Sequence, residues 1–97
     1  MIIKWTQTAK DDLQGIWDYI SRDSVYYADK FTDELVSAVE VLEVFPEIGR
    51  IIPEIGDSDA RELIRGSYRI MYLIRGDYVF VTQIIHGARD FGNPSIL

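Results

Sequence analysis

The residues of this chain best equipped for chemistry are five arginines and one histidine, and all six lie in its C-terminal part. Arg61, Arg65, Arg69, Arg75 and Arg89 occupy residues 59–97 with no lysine among them, and His86 is the single histidine. Any one of these arginines is accounted for as a solvated charge at a strand edge. Their clustering without lysine adds weight to an anion or carboxylate contact, because a guanidinium grips such groups through two parallel N–H bonds. His86 is the default acid/base candidate, since imidazole ordinarily titrates near neutrality. Arg69 could stabilise charge developing on a phosphate, and Glu54 or Glu62 could add a carboxylate. That set would suffice for metal-free RNA cleavage, with a 2′-hydroxyl attacking the adjacent phosphodiester. A lone histidine near a strand end is nevertheless more often structural or simply exposed, so Arg69 and His86 are catalytic candidates and nothing more.

Other chemistries lack their residues. There is no phosphate-binding glycine loop, no H-E-x-x-H motif and no nucleophile elbow. Without cysteine, and with one histidine, neither a disulfide framework nor a zinc site is expected. No cofactor and no metal is expected. Asp11, Asp12 and Asp18 are scattered around a helix and read as solvating it.

The elements that must position these residues follow from apolar spacing. Ile2, Ile3 and Trp5 form a short strand over residues 2–5. Thr8 is the expected N-cap of a helix over 8–22, with Ala9, Leu13, Ile16, Trp17 and Ile20 on one stripe. Ser24 caps a second helix over 24–45, with Ala28, Phe31, Leu35, Ala38, Val39 and Leu42 on its stripe. So short a link folds the two back as an antiparallel hairpin. Pro46, Gly49, Pro53 and Gly56 mark 46–59 as a surface loop. A three-strand meander fills 60–86, with a two-residue turn at Gly76-Asp77, and 87–97 is an irregular tail. The result is one α+β domain with the helical hairpin packed on one face of an antiparallel sheet.

If Arg75 pairs with Tyr78, then Leu73 faces Phe80, Met71 faces Thr82 and Arg69 faces Ile84. Tyr68, Ile70, Tyr72, Ile74, Val79, Val81, Gln83 and Ile85 then form the face under the helices. Arg69, Met71, Leu73, Phe80 and His86 share the other face, with Arg69 and His86 diagonal neighbours. A slip of one residue in one strand would separate them. This second face is half apolar and calls for a cover: the C-terminal tail, a second copy or a partner peptide, of which a partner is preferred. The expected contact residues are Arg61, Arg65, Arg69, Met71, Leu73, Phe80, His86 and Arg89.

Composition narrows the classes further. The net charge of −6 argues against a broad nucleic-acid surface. Residues 1–58 hold twelve acids against five bases, whereas 59–97 hold four acids against five bases. No apolar run approaches the roughly 20 residues of a membrane helix. The start lacks the layout of a secretory signal, so a cytoplasmic protein is expected.

Five segments, in order and at matching intervals, resemble the ParE-type toxins of the RelE/ParE toxin–antitoxin superfamily. They are Ala9-x-x-Asp12-Leu13-x-x-Ile16-x-x-Tyr19-Ile20, Ala28-x-x-Phe31-x-x-x-Leu35, Phe45-Pro46-x-x-Gly49-Arg50, Tyr68-Arg69-Ile70-x-Tyr72-x-Ile74 and Ile84-Ile85-His86-x-x-Arg89-Asp90. The resemblance implies a β-α-α-β-β-β fold and a ParD-like antitoxin with a segment that wraps the toxin. It also implies one of two activities. RelE-like members cut mRNA on the ribosome, and Arg69 matches the arginine of their site strand. The ParE branch inhibits DNA gyrase by binding, and the His86-x-x-Arg89-Asp90 ending is more like that branch. Gyrase inhibition is the preferred expectation. A ribosome-dependent endoribonuclease using Arg69 and His86 is the alternative, and an antitoxin-binding protein without toxicity is the third.

Overall fold

Apolar residues recurring at helical spacing in the first half and alternating in the second produce two layers, a helical hairpin over a sheet. The computed structural model describes residues 1–87, so Arg89 and the rest of the expected tail lie outside the described residues. In chain order the elements are β1 (Ile2–Trp5), α1 (Gln7–Ser21), α2 (Val25–Glu40), a 3-10 turn (Val41–Glu43), β2 (Arg50–Ile51), β3 (Ala60–Arg65), β4 (Tyr68–Arg75) and β5 (Tyr78–His86). The α+β class is as expected. The sheet is mixed, however: its order is β1-β5-β4-β3-β2, with β1 parallel to β5 and the other pairings antiparallel.

The first helix is capped by Thr6 rather than Thr8. The Thr6 hydroxyl accepts the Ala9 N–H at 3.1 Å, and its own N–H is bound to the Val81 carbonyl, so the strand runs straight into the cap. Ser24 caps α2 by accepting the Tyr27 N–H at 3.2 Å. That helix ends at Glu40 and tightens into the 3-10 turn, which buries Leu42 before the chain reaches Pro46.

The main core lies between helices and sheet. Ala9, Ile16, Leu35, Val39 and Leu42 pack on Leu63, Ile70, Tyr72, Val79, Val81 and Ile84. Burying a large aliphatic side chain here contributes about 1.5–3 kcal/mol. Both hairpin turns place glycine first, with Gly66 at φ +56° and Gly76 at φ +57°, conformations that a side chain resists.

The 46–59 segment is more than a surface crossing: β2 pairs Arg50 with Glu62 and Ile51 with Arg61. Its anchor is Tyr72. The buried phenol donates to the Pro46 carbonyl at 2.7 Å and accepts the Gly49 N–H at 3.0 Å. Gly49 must be glycine, because a Cβ would stand 2.5 Å from the Tyr72 oxygen and 2.7 Å from the Glu62 carbonyl oxygen. The segment then folds over the second face of the sheet, where Ile52 forms a small core with Ala60 and Met71, flanked by Leu73 and Ile85.

Candidate functional site

The hairpin register decides which of the candidate residues can meet. Arg75 pairs with Tyr78 and Leu73 with Phe80, as the turn predicts, but a bulge follows. Tyr72 pairs with Val81 and Met71 with Gln83, leaving Thr82 as the extra residue. Three side chains fix it. Thr82 donates from its hydroxyl to the Met71 carbonyl at 3.2 Å, Thr6 donates to the Thr82 carbonyl at 2.9 Å, and Asp12 accepts the Ile84 N–H at 2.9 Å. Asp12 therefore ties α1 to the stretch of β5 that runs on past β1, a role beyond solvation.

Beyond the bulge every side chain of β5 changes face. Arg69 pairs with Ile85 and His86 with Tyr68, so Arg69 and His86 stand on opposite faces and are not diagonal neighbours. Ile84 joins the core under the helices, and Ile85 turns to the small core on the other side. The imidazole of His86 is exposed and meets Tyr68 edge-on, with ring centroids 5.4 Å apart; Tyr68 in turn contacts Phe31 at 5.7 Å.

Arg69 is buried in a cluster of four charged residues. Its Nε donates to Glu62 Oε1 at 2.6 Å, and its two terminal nitrogens donate to the two oxygens of Glu54 at 3.0 and 2.9 Å. The second oxygen of Glu62 accepts from Arg50 Nε at 2.6 Å. The Glu62 side chain is 0% exposed and that of Arg69 8%, against 59% for Arg50. The hydrogen bonds it donates to Glu54, reinforced by the bond to and charge of Glu62, hold the Arg69 guanidinium above its ordinary pKa against the opposing effect of burial. It is cationic at any working pH.

The other expected contact residues disperse. Arg61 and Arg65 pair with Tyr72 and Tyr68, which puts both on the helix side of the sheet, opposite Arg69. Arg61 clamps the 46–59 segment, donating to the carbonyls of Ser58, Gly49 and Glu47. Arg65 is exposed, with one nitrogen on its neighbour's carbonyl at 2.7 Å. Met71, expected in an exposed groove, is 1% exposed beneath Ile52, so the protein's own loop covers that half of the face. Leu73 and Phe80 are half-buried and remain near the surface.

Away from that loop, and among the described residues, the same face carries a strip around Leu73 and Phe80. Tyr78 and Phe80 stack at 5.8 Å, and β1 sets Ile2 beside Tyr78 and Lys4 beside Phe80. Ile2 and Tyr78 are exposed, and the exposed Arg75 closes the strip. Leu73 and Phe80 of this strip were expected contact residues, whereas Ile2, Lys4 and Tyr78 were not, and only the Gly49-Arg50 pair hinted at Arg50. Among the described residues no group of three or more His, Cys, Asp or Glu could hold a metal ion, and no helix is long and apolar enough to cross a membrane.

With this geometry in hand, comparison with known proteins is informative. A family model described as the ParE toxin of the type II toxin–antitoxin system, parDE, matches residues 3–91. Toxin RelE2 of Caulobacter vibrioides is 33% identical over 88 residues, which span 90% of this chain and 96% of that protein. A solved structure described as the chromosomal ParDE TA system from P. aeruginosa superposes with a TM-score of 0.73 at 25% identity. The match covers 89% of this chain and 95% of that one.

Proposed function

We propose, from the premise that this chain belongs to the ParE toxin family of type II toxin–antitoxin systems, that it acts by binding rather than by cutting. Its target in this reading is DNA gyrase, and a ParD-like antitoxin neutralises it. One observation carries the preference. The two side chains that a metal-free ribonuclease centre would draw on, Arg69 and His86, point to opposite faces of the sheet, and the Arg69 guanidinium is engaged by Glu54 and Glu62. A general acid/base must lie within hydrogen-bond reach of the atoms it serves, together with the group that stabilises the developing charge. Residues on opposite faces do not share one phosphodiester.

Binding has a surface to work with. The strip of Ile2, Tyr78, Phe80 and Leu73, edged by Lys4 and Arg75, presents aromatic anchors with a cationic rim. Aromatic residues with flanking arginine are the groups that dominate protein interfaces. The ParDE neighbour supports an antitoxin as one occupant.

The test is direct. Purified protein added to gyrase should block supercoiling and accumulate cleavage complexes, and added antitoxin should reverse both. The relative named RelE2 keeps a ribosome-dependent nuclease as the second reading. Discrete codon-aligned cuts in mRNA after induction, with supercoiling unaffected, would replace gyrase by the ribosome. Harmless expression with retained antitoxin binding would remove both activities.

A further inference from the structure

The apolar side chains most open to water lie together at one corner of the molecule. Among the described residues, Val44, Phe45 and Ile48 are the three most exposed large side chains without a polar atom, at 72%, 59% and 58%. With Pro46 and Glu47 they line one hollow of about 470 Å³. Exposed apolar residues scattered singly are ordinary, whereas a contiguous group marks a contact surface. The turn that carries them is fixed. The Val41 carbonyl accepts the N–H groups of Val44 and Phe45 at 3.2 and 3.0 Å, and the Phe45 carbonyl accepts that of Ile48 at 3.2 Å. Tyr72 then ties down Pro46 and Gly49. A ligand therefore meets a surface already in place and does not have to order it.

We infer, on the reading that this chain acts by binding a protein, that this corner receives an apolar segment of the target protein flanked by lysine or arginine. Charge selects that occupant. Residues 34–49 hold four acids and no base. The exposed Glu40, Glu43 and Glu47 flank the apolar group along the chain, and among the described residues no ion pair includes their carboxylates. Two cations touch this stretch, both on main-chain oxygen: the Met1 amino group on the Glu43 carbonyl at 3.0 Å, and Arg61 on the Glu47 carbonyl at 3.2 Å. Three carboxylates outnumber them and stay available to an outside base. A second copy docked here would set acid against acid, and an acidic segment would meet the same repulsion. The Met1 contact also places the corner beside the start of β5, whereas Gly87 follows the far end of that strand, about 25–30 Å away. Residues 88–97 therefore begin at the opposite end of the sheet.

The experiment titrates the full chain with a blocked Lys-Leu-Leu-Lys-Leu-Leu-Lys peptide, following the Val44 and Ile48 methyl resonances by NMR. The same peptide with glutamate for lysine is the comparison probe. The basic peptide should shift the resonances saturably below about 1 mM, and the acidic peptide should not. Phe45→Ala and Ile48→Ala should each weaken binding by about tenfold. Both residues are more than half exposed, so these truncations leave the fold intact. Tyr26→Ala, which removes an equally exposed aromatic at the other end of α2, should bind as the parent does. Equal affinity of the parent and both truncated variants, equal binding of the acidic peptide, or no shift at about 1 mM would overturn the inference. So would a dimer that Phe45→Ala converts to monomer in sedimentation, which would assign the corner to a second copy. Cross-relaxation between the Val44 methyl groups and residues 88–97 in the free chain would assign it to the chain's own tail, with the same consequence. A protein that leaves gyrase untouched removes that target without changing these outcomes, since the titration reads binding alone.

Discussion

Alternate residues of one strand, β4, build two interiors of opposite character. Ile70 and Tyr72 face the helices in the main apolar core, while Arg69 and Met71 face the 46–59 segment. The first side is held by area removed from water, a non-directional force that tolerates small shifts. The second is held by a small apolar cluster and by charged groups that satisfy one another, where loss of one partner strands the rest. Stability on one side is therefore spread over many contacts, and on the other it is concentrated in a few bonds.

The sharpest way to break that contrast is Glu62→Ala. It removes the carboxylate bound to Nε of the buried Arg69, and should cost about 3–5 kcal/mol in chemical denaturation. The mostly exposed Arg50 contributes little to this loss. A cost near zero would mean that the cluster relaxes into water and that the second interior is not concentrated after all.

The adjacent truncations Ile70→Ala and Met71→Ala compare the two interiors within one strand. Both residues are essentially unexposed. Ile70 sits among large neighbours and should cost about 3–4 kcal/mol. Met71, beneath a single loop residue and an alanine, should cost nearer 2 kcal/mol, because that segment can settle into the space. Equal costs would show that the loop packs as rigidly as the helices.

Tyr72→Phe tests the point where the two sides join. It removes the partner of both the Gly49 N–H and the Pro46 carbonyl, for about 1–3 kcal/mol. Burial pushes the Tyr72 phenol pKa up from its ordinary value. A raised folded pKa means that the folded state holds the proton more tightly. This contribution is therefore complete below about pH 10 and lost as pH rises through the folded pKa. Urea midpoints measured across the alkaline range should fall less steeply in the phenylalanine variant than in the parent.

The smallest expected effect on stability is at the strip around Phe80. Phe80→Ala should cost about 1 kcal/mol of stability and reduce partner affinity by about tenfold or more, as aromatic anchors do. Unchanged affinity by calorimetry, in a folded variant, would move the contact surface elsewhere.

Much of this architecture was legible in the sequence. The spacing of Ala9, Leu13, Ile16, Leu35, Val39 and Leu42 specifies two amphipathic helices, because helical periodicity is a local property of the chain. The Gly76-Asp77 turn specifies the register from Arg75 and Tyr78 through Leu73 and Phe80, because a two-residue turn aligns the residues next to it. The order of motifs identifies the toxin family. What spacing could not supply was the face on which His86 lies, the partners of Arg69 or the cover over Met71. The bulge depends on Thr6 and Asp12, more than seventy residues away from the strand they hold. The cluster depends on Glu54 meeting Arg69 once Tyr72 has pinned the loop, fifteen and twenty-six residues apart along the chain. One inserted residue reverses every side chain beyond it. The sequence by itself determined the two helices, the main hairpin and the family they make, while the tertiary structure alone decided the strand inside the 46–59 segment and which charged groups share a face, because those rest on hydrogen bonds closed only when distant segments pack together.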